Sequence, residues 1–314
     1  SLDMELPLYM VDAFTDQPFS GNQAAICWIG NRHVTMTLSE KRMQDIAAEI
    51  NLAETAFIWS KSNDYVDEKS FGLRWFTPTN EVALCGHATL AAAATLFHIA
   101  ENKNDVVTFS TLSGDLFATR QNGKRLFTSN VKHTAYSTMG EDRTHKILLD
   151  FPLNKPEPFN HLDLSSTIDV TLQTDNVTRI KEILLSKTAK KLLIRMKDDF
   201  SLTDLQAIRP NFELMMKSHD GLIFKGIIVT TKGVGEYDFF SRYFAPWNGI
   251  PEDHVTGSAH TVLAPYWRDF TGKDVMLGRQ CSKRGGDVQV KVRADGRVDI
   301  GGNTKIILKG HLCL

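Results

Sequence analysis

Arg74-Trp75-Phe76-Thr77-Pro78 returns later in the chain as Arg242-Tyr243-Phe244-Ala245-Pro246. Each copy is followed by an apolar-flanked Gly-x-Ala, within residues 84–91 in the first copy and 255–263 in the second. A repeat this distant, with one strand-turn-helix unit in each half, is typical of a duplicated domain and not of a short-period solenoid. We therefore expect two halves with one plan and an active site between them.

The composition of the chain is that of a soluble globular protein. Its 314 residues are 42% hydrophobic and 23% charged, which suits two cores of ordinary size. The net charge is -1 and no long Lys/Arg run occurs, so nucleic acid is not an expected partner. No apolar stretch reaches the ~20 residues of a membrane span, and residues 1–8 carry acids where a signal peptide carries basic residues. We expect a cytoplasmic protein without a membrane partner.

The four cysteines, Cys27, Cys85, Cys281 and Cys313, are isolated from one another. Their spacing predicts neither a disulfide framework nor a structural zinc site. Cys85 and His87 could supply two metal ligands, but nothing nearby completes a set of three or four. We expect no metal and no organic cofactor.

Hydrophobic periodicity and turn residues divide the chain at about residue 125. The first half, 1–125, contains strands predicted over 8–14, 22–28, 53–59, 70–76, 106–111 and 116–120, with helices over 37–50 and 86–99. The second half, 126–303, contains helices predicted over 177–185, 202–207 and 257–266, with strands over 146–151, 191–196, 226–231, 237–244, 287–292 and 297–300. A last strand, within 304–314, is expected to complete the first half. Each half is mostly strand with one central apolar helix.

A helix is predicted to begin at each Gly-x-Ala, so each half presents unpaired backbone donors at the positive end of a helix dipole. Two such ends facing across a cleft would bind a substrate carboxylate. The residues assigned to this role are Gly86, His87, Ala88, Gly257, Ser258 and Ala259. The alternative is a pair of tight turns into core helices, and the duplication favours the anion site.

Glu54 is a carboxylate among apolar residues on both faces of a predicted strand. That setting is expected to raise its pKa towards neutrality, which makes Glu54 a candidate proton carrier. The alternative is a structural ion pair with a basic side chain such as Arg74.

His87 and Ser258 stand at equivalent helix starts in the two copies. A helix N-terminus disfavours the imidazolium, so His87 is expected to stay neutral and to accept a proton or hydrogen bond; the alternative is a buried histidine satisfied by backbone. Ser258 is a candidate ligand-binding hydroxyl or a helix cap. Asp253 is a candidate proton carrier or a cap, and Cys85 is a candidate thiolate or a small buried apolar residue.

The sequence resembles the PhzF-like family, the phenazine-biosynthesis isomerases and their relatives, and is similar to its vertebrate members. The blocks that carry the resemblance span almost the whole chain: 12–14, 21–22, 51–57, 71–78, 84–89, 241–247, 252–259, Gln280 and 284–286. The resemblance implies the α+β, diaminopimelate-epimerase-like fold, in which two pseudo-symmetric domains each wrap a curved mixed sheet around a central helix.

The resemblance also implies roles for the candidate residues. The glutamate matching Glu54 shuttles a proton on a small cyclic amino acid, assisted by residues matching His87, Asp253 and Ser258. Related two-cysteine epimerases have a catalytic Cys in both halves, whereas this chain has Cys85 and Thr256. His254 stands where the family more often has Pro, which is expected to shift Asp253 slightly. The family often forms homodimers, and one relative is named for binding a WD-repeat protein, so both kinds of partner are implied.

The leading hypothesis is a cofactor-independent isomerase in which paired helix ends hold a small amino or cyclic carboxylate and Glu54 moves a proton between carbons. The alternative enzyme is an epimerase or racemase that uses Glu54 with Cys85 or Asp253. The third hypothesis is a catalytically idle protein-binding module, since fold does not settle function.

Overall fold

The computed structural model describes residues 4–30, 38–121, 146–160 and 162–314. Contacts divide the chain into unit 1, formed by Ser1–Asp150 and Gly301–Leu314, and unit 2, formed by Phe151–Ile300. The boundary predicted at 125/126 lies outside the described residues. Among the helices of the described ranges, none is both long and apolar enough to cross a membrane.

The described residues of unit 1 form the first eight strands, two helices and the last strand of the chain. The strands are β1 (Glu5–Ala13), β2 (Asn22–Trp28), β3 (Glu54–Trp59), β4 (Ser70–Phe76), β5 (Glu81–Val82), β6 (Val106–Thr111), β7 (Gly114–Gln121) and β8 (Lys146–Pro152). The helices are α1 (Glu40–Ile50) and α2 (Gly86–Ala94), and α2 continues as a π-helical segment, Thr95–Ile99.

Within the described ranges, unit 2 has a similar strand set and more helices. Its strands are β9 (Glu157–Pro158), β10 (Ile180–Ser186), β11 (Lys191–Met196), β12 (Gly226–Lys232), β13 (Phe239–Ala245), β14 (Ile250–Asp253), β15 (Val275–Gln280), β16 (Gly286–Val292) and β17 (Arg297–Gly302). Its helices are α3 (Ser165–Leu172), α4 (Thr174–Val177), α5 (Leu202–Ala207), α6 (Phe212–Ser218) and α7 (Gly257–Thr271), with 3-10 turns at Leu162–Leu164 and Pro246–Asn248. The last strand, β18 (Thr304–Cys313), belongs to unit 1.

Strand pairing follows one order in both units. In unit 1, β18, β1 and β2 are antiparallel neighbours, β2 is parallel to β3, β3 antiparallel to β4, β4 parallel to β6, and β6 antiparallel to β7. In unit 2 the same sequence of orientations runs through β9, β10, β11, β12, β13, β15 and β16. The mixed sheets and the duplicated plan confirm the predicted α+β fold.

Helix α2 is buried along nearly its whole length, with every residue from His87 to Ala94 inside the protein. Its alanines carry no long side chain, so the strands β1, β2 and β3 can pack close to its axis. Apolar burial on all sides stabilises this helix although its N-cap, Cys85, makes no side-chain capping bond.

Helix α7 runs past the end predicted at residue 266 because its internal proline is accommodated. Pro265 has no N–H for the carbonyl of Thr261, and the backbone N–H of Asn154 donates to that carbonyl instead, at 3.1 Å. The helix ends where Gly272 adopts a left-handed conformation with φ 72°.

The outer faces of the sheets are covered differently. In unit 1, α1 is capped by the Ser39 hydroxyl, and its buried residues Met43, Ile46 and Ala47 pack with Phe57 in one cluster. In unit 2 several short helices share this task, and their apolar residues form one cluster with the sheet: Ile168, Leu172, Leu205, Met215, Phe240 and Phe244.

The helix predicted over 177–185 is wrong. The chain forms β10 from Ile180 onwards, because the run from Ile183 to Ser186 is buried on both faces and pairs with β11 on one side and β9 on the other. A fully buried strand shows no alternation, so its apolar spacing resembles that of a helix. The helices α3 and α6 and the strands β14 and β15 were missed, whereas α5 is confirmed and begins with a capping box between Ser201 and Asp204.

Candidate active site

Each copy of the repeated motif builds a strand pair held by an arginine and a glutamate. Arg74 donates through Nε and Nη2 to the two carboxylate oxygens of Glu81, both at 2.6 Å. Arg242 donates in the same way to Glu252, at 2.8 and 3.0 Å. Two parallel charge-assisted bonds fix both position and orientation. The fork ties the motif strand to the short strand that leads into the helix.

A second repeated contact holds the chain between this fork and the helix. The Ser113 hydroxyl donates to the carbonyl of Ala83 at 2.6 Å, and the Ser282 hydroxyl donates to the carbonyl of His254 at 2.7 Å. In each copy the glutamate of the fork stands five residues before the helix-starting glycine. The backbone therefore approaches the N-terminus of α2 and of α7 in the same way. His254, which stands where the family more often has Pro, still provides the carbonyl of this anchor.

Strand register makes the two copies comparable residue by residue. Thr55 pairs with Phe76 in unit 1, and Ile227 pairs with Phe244 in unit 2. Glu54, which precedes Thr55, therefore occupies the position of Gly226. The candidate proton carrier of unit 1 thus corresponds to a residue without a side chain in unit 2.

Glu54 is the first residue of β3, and its side chain is buried, with 5% of the residue exposed. The alternative prediction was a structural ion pair with a basic side chain, and its named example, Arg74, is wrong for these two described residues. Arg74 instead donates to Glu81 and to Glu40, the latter at 2.9 Å. The carboxylate is thus held inside the protein by something other than the predicted cation.

His87 lies at the first turn of α2 and is buried. Its Nε2 is 3.1 Å from the backbone carbonyl of Gln23, and its Nδ1 is 3.3 Å from the Cys85 sulfur. A carbonyl only accepts, so the hydrogen-bond network assigns the proton to Nε2 and leaves Nδ1 as the acceptor of the Cys85 thiol proton. The predicted neutral, accepting histidine agrees with this network, and the alternative of a backbone-satisfied histidine describes the contact with Gln23.

Glu54 and His87 belong to the same end of two neighbouring strands. Glu54 pairs with Ala24 across β2 and β3, and Gln23, the carbonyl partner of His87, immediately precedes Ala24. Cys85 is half-buried at the N-cap of α2, so it is more exposed than a buried apolar residue. Unit 1 therefore brings a carboxylate, an imidazole and a thiol to one end of β2 and β3.

Asp253 and Ser258 are the candidate residues of unit 2. The N-cap of α7 is Thr256, so neither predicted residue is that cap. The Thr256 hydroxyl donates to Asp253 Oδ2 at 2.6 Å, which holds the carboxylate beside the helix N-terminus. Ser258 is half-buried, and within the described part of the chain its hydroxyl makes no side-chain hydrogen bond.

Gln280 is a positioning residue to which the sequence assigned no role. It is fully buried and donates to the carbonyl of Asp253 at 3.0 Å, while its Oε1 accepts from the Thr256 N–H at 2.8 Å. Its amide therefore clamps both ends of the segment that carries Asp253. Its partners are more than twenty residues away in the sequence, so no local pattern could indicate this contact.

The charged groups around Asp253 are perturbed by burial. Burial raises the pKa of the Glu252 carboxyl, and the Arg242 guanidinium opposes that shift. Burial lowers the pKa of His254, and Asp253 opposes that shift. At neutral pH His254 is therefore a neutral neighbour of Asp253.

Comparison with known proteins shows the family of this chain. Residues 11–310 match the PhzC-PhzF family, described as phenazine biosynthesis-like protein. The chain belongs to this family. A mouse relative, phenazine biosynthesis-like domain-containing protein 1, is 41% identical over 98% of this chain and 99% of its own. An uncharacterized isomerase of Pseudomonas aeruginosa is 36% identical over 99% of this chain and its own full length.

Solved structures show the same fold. A PhzF-family protein from Enterococcus faecalis superposes with a TM-score of 0.79 at 34% identity, covering 99% of this chain and 100% of its own. A hydroxyproline epimerase from Agrobacterium vitis has a TM-score of 0.55 at 10% identity, covering 99% of this chain and 93% of its own, so it shares the fold alone. Membership of the PhzC-PhzF family and the isomerase among its relatives support an isomerase- or epimerase-type function for this chain.

Proposed function

We propose that this PhzC-PhzF protein is a cofactor-independent isomerase that moves a proton on a small amino or cyclic carboxylate. Glu54 takes the proton from one carbon as the electron pair shifts into the substrate, and returns it to another carbon. Atoms and electrons balance without an external oxidant or reductant. The observation that carries the proposal is the buried carboxylate of Glu54 at the same strand end as His87.

Burial suits Glu54 to this role because a desolvated carboxylate is a stronger base towards carbon acids than one in water. His87 supports the reaction as a fixed neutral hydrogen-bonding group. Its ring is held by Gln23 and Cys85, so it needs little reorganisation when charge develops on the substrate.

The substrate carboxylate is proposed to bind the helix N-termini that start at Gly86 and Gly257. Unpaired N–H groups and the positive dipole ends favour an anion there. The Ser258 hydroxyl is proposed as a further donor to it. Asp253 is proposed to assist proton transfer, with its orientation set by Thr256 and Gln280.

The second candidate is an epimerase in which Cys85 works with Glu54. It is favoured by the 3.3 Å contact between the Cys85 sulfur and His87 Nδ1, which provides an acceptor for the thiol proton. A change of configuration without movement of a double bond would identify it. Cys85→Ser would then abolish the reaction, whereas the isomerase would retain most of its activity.

Solvent deuterium incorporation tests the proposal. The wild type and Glu54→Gln are incubated in heavy water with a panel of small amino and cyclic carboxylates, including hydroxyproline, and label is followed by NMR. We expect exchange at a carbon position in the wild type and a loss of roughly 10²- to 10⁴-fold in Glu54→Gln. Glu157→Gln is the control, because Glu157 is exposed in unit 2.

The outcomes are distinct. Equal exchange in the wild type and in a folded Glu54→Gln would refute the role of Glu54. Should Glu54→Gln lose its native circular dichroism, Glu54→Asp, which keeps the carboxylate and shifts it by one methylene, replaces it and is expected to lower the rate. No exchange with any compound that binds the wild type would favour the protein-binding module.

A further inference from the structure

Lys191 is a buried cation in unit 2. It is the first residue of β11, only 7% of it is exposed, and its Nζ donates to the Tyr243 hydroxyl at 3.0 Å. A buried ammonium is unfavourable unless polar or charged groups compensate for its lost hydration. The fold of unit 2 does not need a charge here, because Ala24 holds the corresponding position in unit 1.

The space for this pair is made by Gly226. Lys191 pairs with Gly226 across β11 and β12, and a Cβ on Gly226 would lie 2.1 Å from the Tyr243 hydroxyl oxygen. Any other residue would displace that hydroxyl. Gly226 is the register counterpart of Glu54, so the volume that holds a carboxylate in unit 1 holds a phenol and an ammonium in unit 2.

The Lys191–Tyr243 pair is next to Asp253 in the sheet. Tyr243 stands directly opposite Asp253 in the antiparallel pairing of β13 and β14, which places both side chains on one face of the sheet. Lys191 Nζ donates a hydrogen bond to the phenol oxygen, which ties the ammonium to the residue opposite Asp253. In unit 1 the corresponding pair is Trp75 and Val82, which carries neither a hydroxyl nor a charge.

The charges of this cluster agree with the geometry. Burial lowers the pKa of Lys191 to about 8, and Asp253 is the charged residue of the described chain that opposes this shift. Burial and Asp253 both raise the pKa of Tyr243, so the phenol stays protonated. Glu252 and His254 also sense the charge of Asp253.

We infer that Lys191 and Tyr243 are positioning residues for the Asp253 carboxylate: Lys191 supplies its counter-charge, and Tyr243, which stands opposite Asp253, holds the Lys191 ammonium in place. The inference rests on the proposed function for the role of Asp253 in proton transfer. The electrostatic coupling of Lys191 to Asp253 is independent of that function and can be measured without a substrate.

The first experiment measures this coupling. Protein labelled with ¹³Cε-lysine is titrated by NMR between pH 6 and 11, and the Lys191 resonance is assigned by its absence in Lys191→Met. We expect Asp253→Asn to lower the pKa of Lys191 by roughly one unit, because an anion that stabilised the ammonium is removed. Tyr243→Phe is expected to lower it as well, since the ammonium loses its acceptor. Asp175→Asn, an exposed substitution in unit 2, is the control and leaves it unchanged.

The second experiment uses a substrate found by deuterium exchange. In Lys191→Met we expect kcat to fall roughly tenfold with little change in KM, and the acidic limb of the pH–rate profile to move to higher pH. The reason is that a carboxylate without its counter-charge takes up a proton more readily. Lys191→Arg keeps a cation and is expected to restore the acidic limb, which a merely structural loss would not show.

The two experiments separate the inference from the proposed function. An unchanged pKa of Lys191 in both Asp253→Asn and Tyr243→Phe would overturn the coupling, whatever the enzyme does. A shifted pKa with an unchanged acidic limb in Lys191→Met would overturn the catalytic part of the inference. Absence of exchange by the wild type would reject the proposed function, and the titration would still decide the coupling.

Discussion

The two units share a frame and differ in the side chains that the frame presents. Each has an arginine–glutamate fork, a serine anchor and a glycine-started helix at equivalent positions. The glycine and alanine of each helix start are the same in both units, but the neighbouring side chains differ. Strand register and the repeated motif pair them as follows: Ala24 and Lys191, Glu54 and Gly226, Trp75 and Tyr243, Val82 and Asp253, Cys85 and Thr256, His87 and Ser258.

This difference shows that the frame tolerates exchange of its functional groups. In the fork an arginine binds a glutamate, and the anchor serine binds a backbone carbonyl. These contacts do not involve the candidate side chains, so they hold the helix start in place whatever those side chains are. The same strand pairing accommodates a carboxylate side chain at Glu54 and a glycine, without a side chain, at Gly226. The likeness of the units is therefore a property of the frame, and their chemistry is set by a few residues.

The largest effect is expected from breaking the fork of unit 2. Arg242 also donates to the carbonyls of Leu205 and Ile208, at 2.9 and 2.8 Å, so Arg242→Met leaves several buried acceptors unpaired. We expect it to lower the free energy of unfolding by about 3–5 kcal/mol. Arg74→Met is expected to lower it by about 1–2 kcal/mol, because the Arg74 side chain is 21% exposed and its acceptors can be hydrated. Denaturant unfolding measures both.

The pH dependence of Arg242→Met gives a control. The Arg242 guanidinium lowers the pKa of Glu252, which burial raises, so its removal lets Glu252 bind a proton more readily in the folded state. The protonated form needs no cation, and the loss of stability is therefore expected to be smaller at pH 5 than at pH 8. Glu252→Gln in the same chain should recover part of the loss. Equal losses for Arg242→Met and Arg74→Met would contradict the difference in burial.

A smaller effect on stability is expected from exchanging the residue that binds the N-cap carbonyl of α7. His260 of α7 bonds the carbonyl of Thr256 through Nδ1, where Thr89 of α2 bonds the carbonyl of Cys85. Burial lowers the pKa of His260 to about 4 from 6.5. A lowered pKa gives stability above pH 6.5 that is lost as the pH falls towards 4, here on the order of 2–3 kcal/mol.

His260→Thr gives unit 2 the residue of unit 1 at this position and is expected to remove that acid-induced loss. The measurement is the slope of unfolding free energy between pH 6.5 and 4, since the absolute stability also changes with side-chain volume. His311→Thr, at an exposed position, is the control and should leave the slope as in the wild type. An unaltered slope in His260→Thr would show that other groups dominate acid unfolding.

The smallest effects are expected from the serine anchors. Ser282 is buried, and its hydroxyl donates to His254 and accepts from the Gly285 N–H at 3.1 Å, so Ser282→Ala is expected to lose about 1–2 kcal/mol. Ser113 is exposed, and water can replace its hydroxyl, so Ser113→Ala is expected to lose about 0.5 kcal/mol or less. Thermal unfolding of the two variants measures the difference. A larger loss for Ser113→Ala would contradict the argument from burial.

The repeat, the family and the fold class could be predicted because their signals are local. The motif at Arg74 and Arg242 combines strand alternation with a turn and a helix-starting glycine within about fifteen residues. Hydrophobic periodicity likewise predicted the helix over 202–207. Glu54 and His87 were found because a carboxylate among apolar residues and a histidine at a helix start are unusual in their immediate context.

Lys191, Tyr243 and Gln280 were missed because their meaning depends on partners distant in the sequence. Lys191 and Tyr243 are separated by fifty-two positions and meet only through the pairing of three strands. The ion pair predicted as an alternative between Glu54 and Arg74 was wrong for the same reason. Nothing local in the sequence indicates that Glu81 and Glu40 are the partners of Arg74.

The return of β18 to unit 1 affects how the chain can fold during translation. β1 pairs with β2 on one side and with β18 on the other, and β18 leaves the ribosome after the whole of unit 2. Unit 2 is contiguous in the chain and can fold before β18 is available. Until then one edge of β1 is unpaired and can pair with another nascent chain. Unit 1, although it is synthesised first, is completed last.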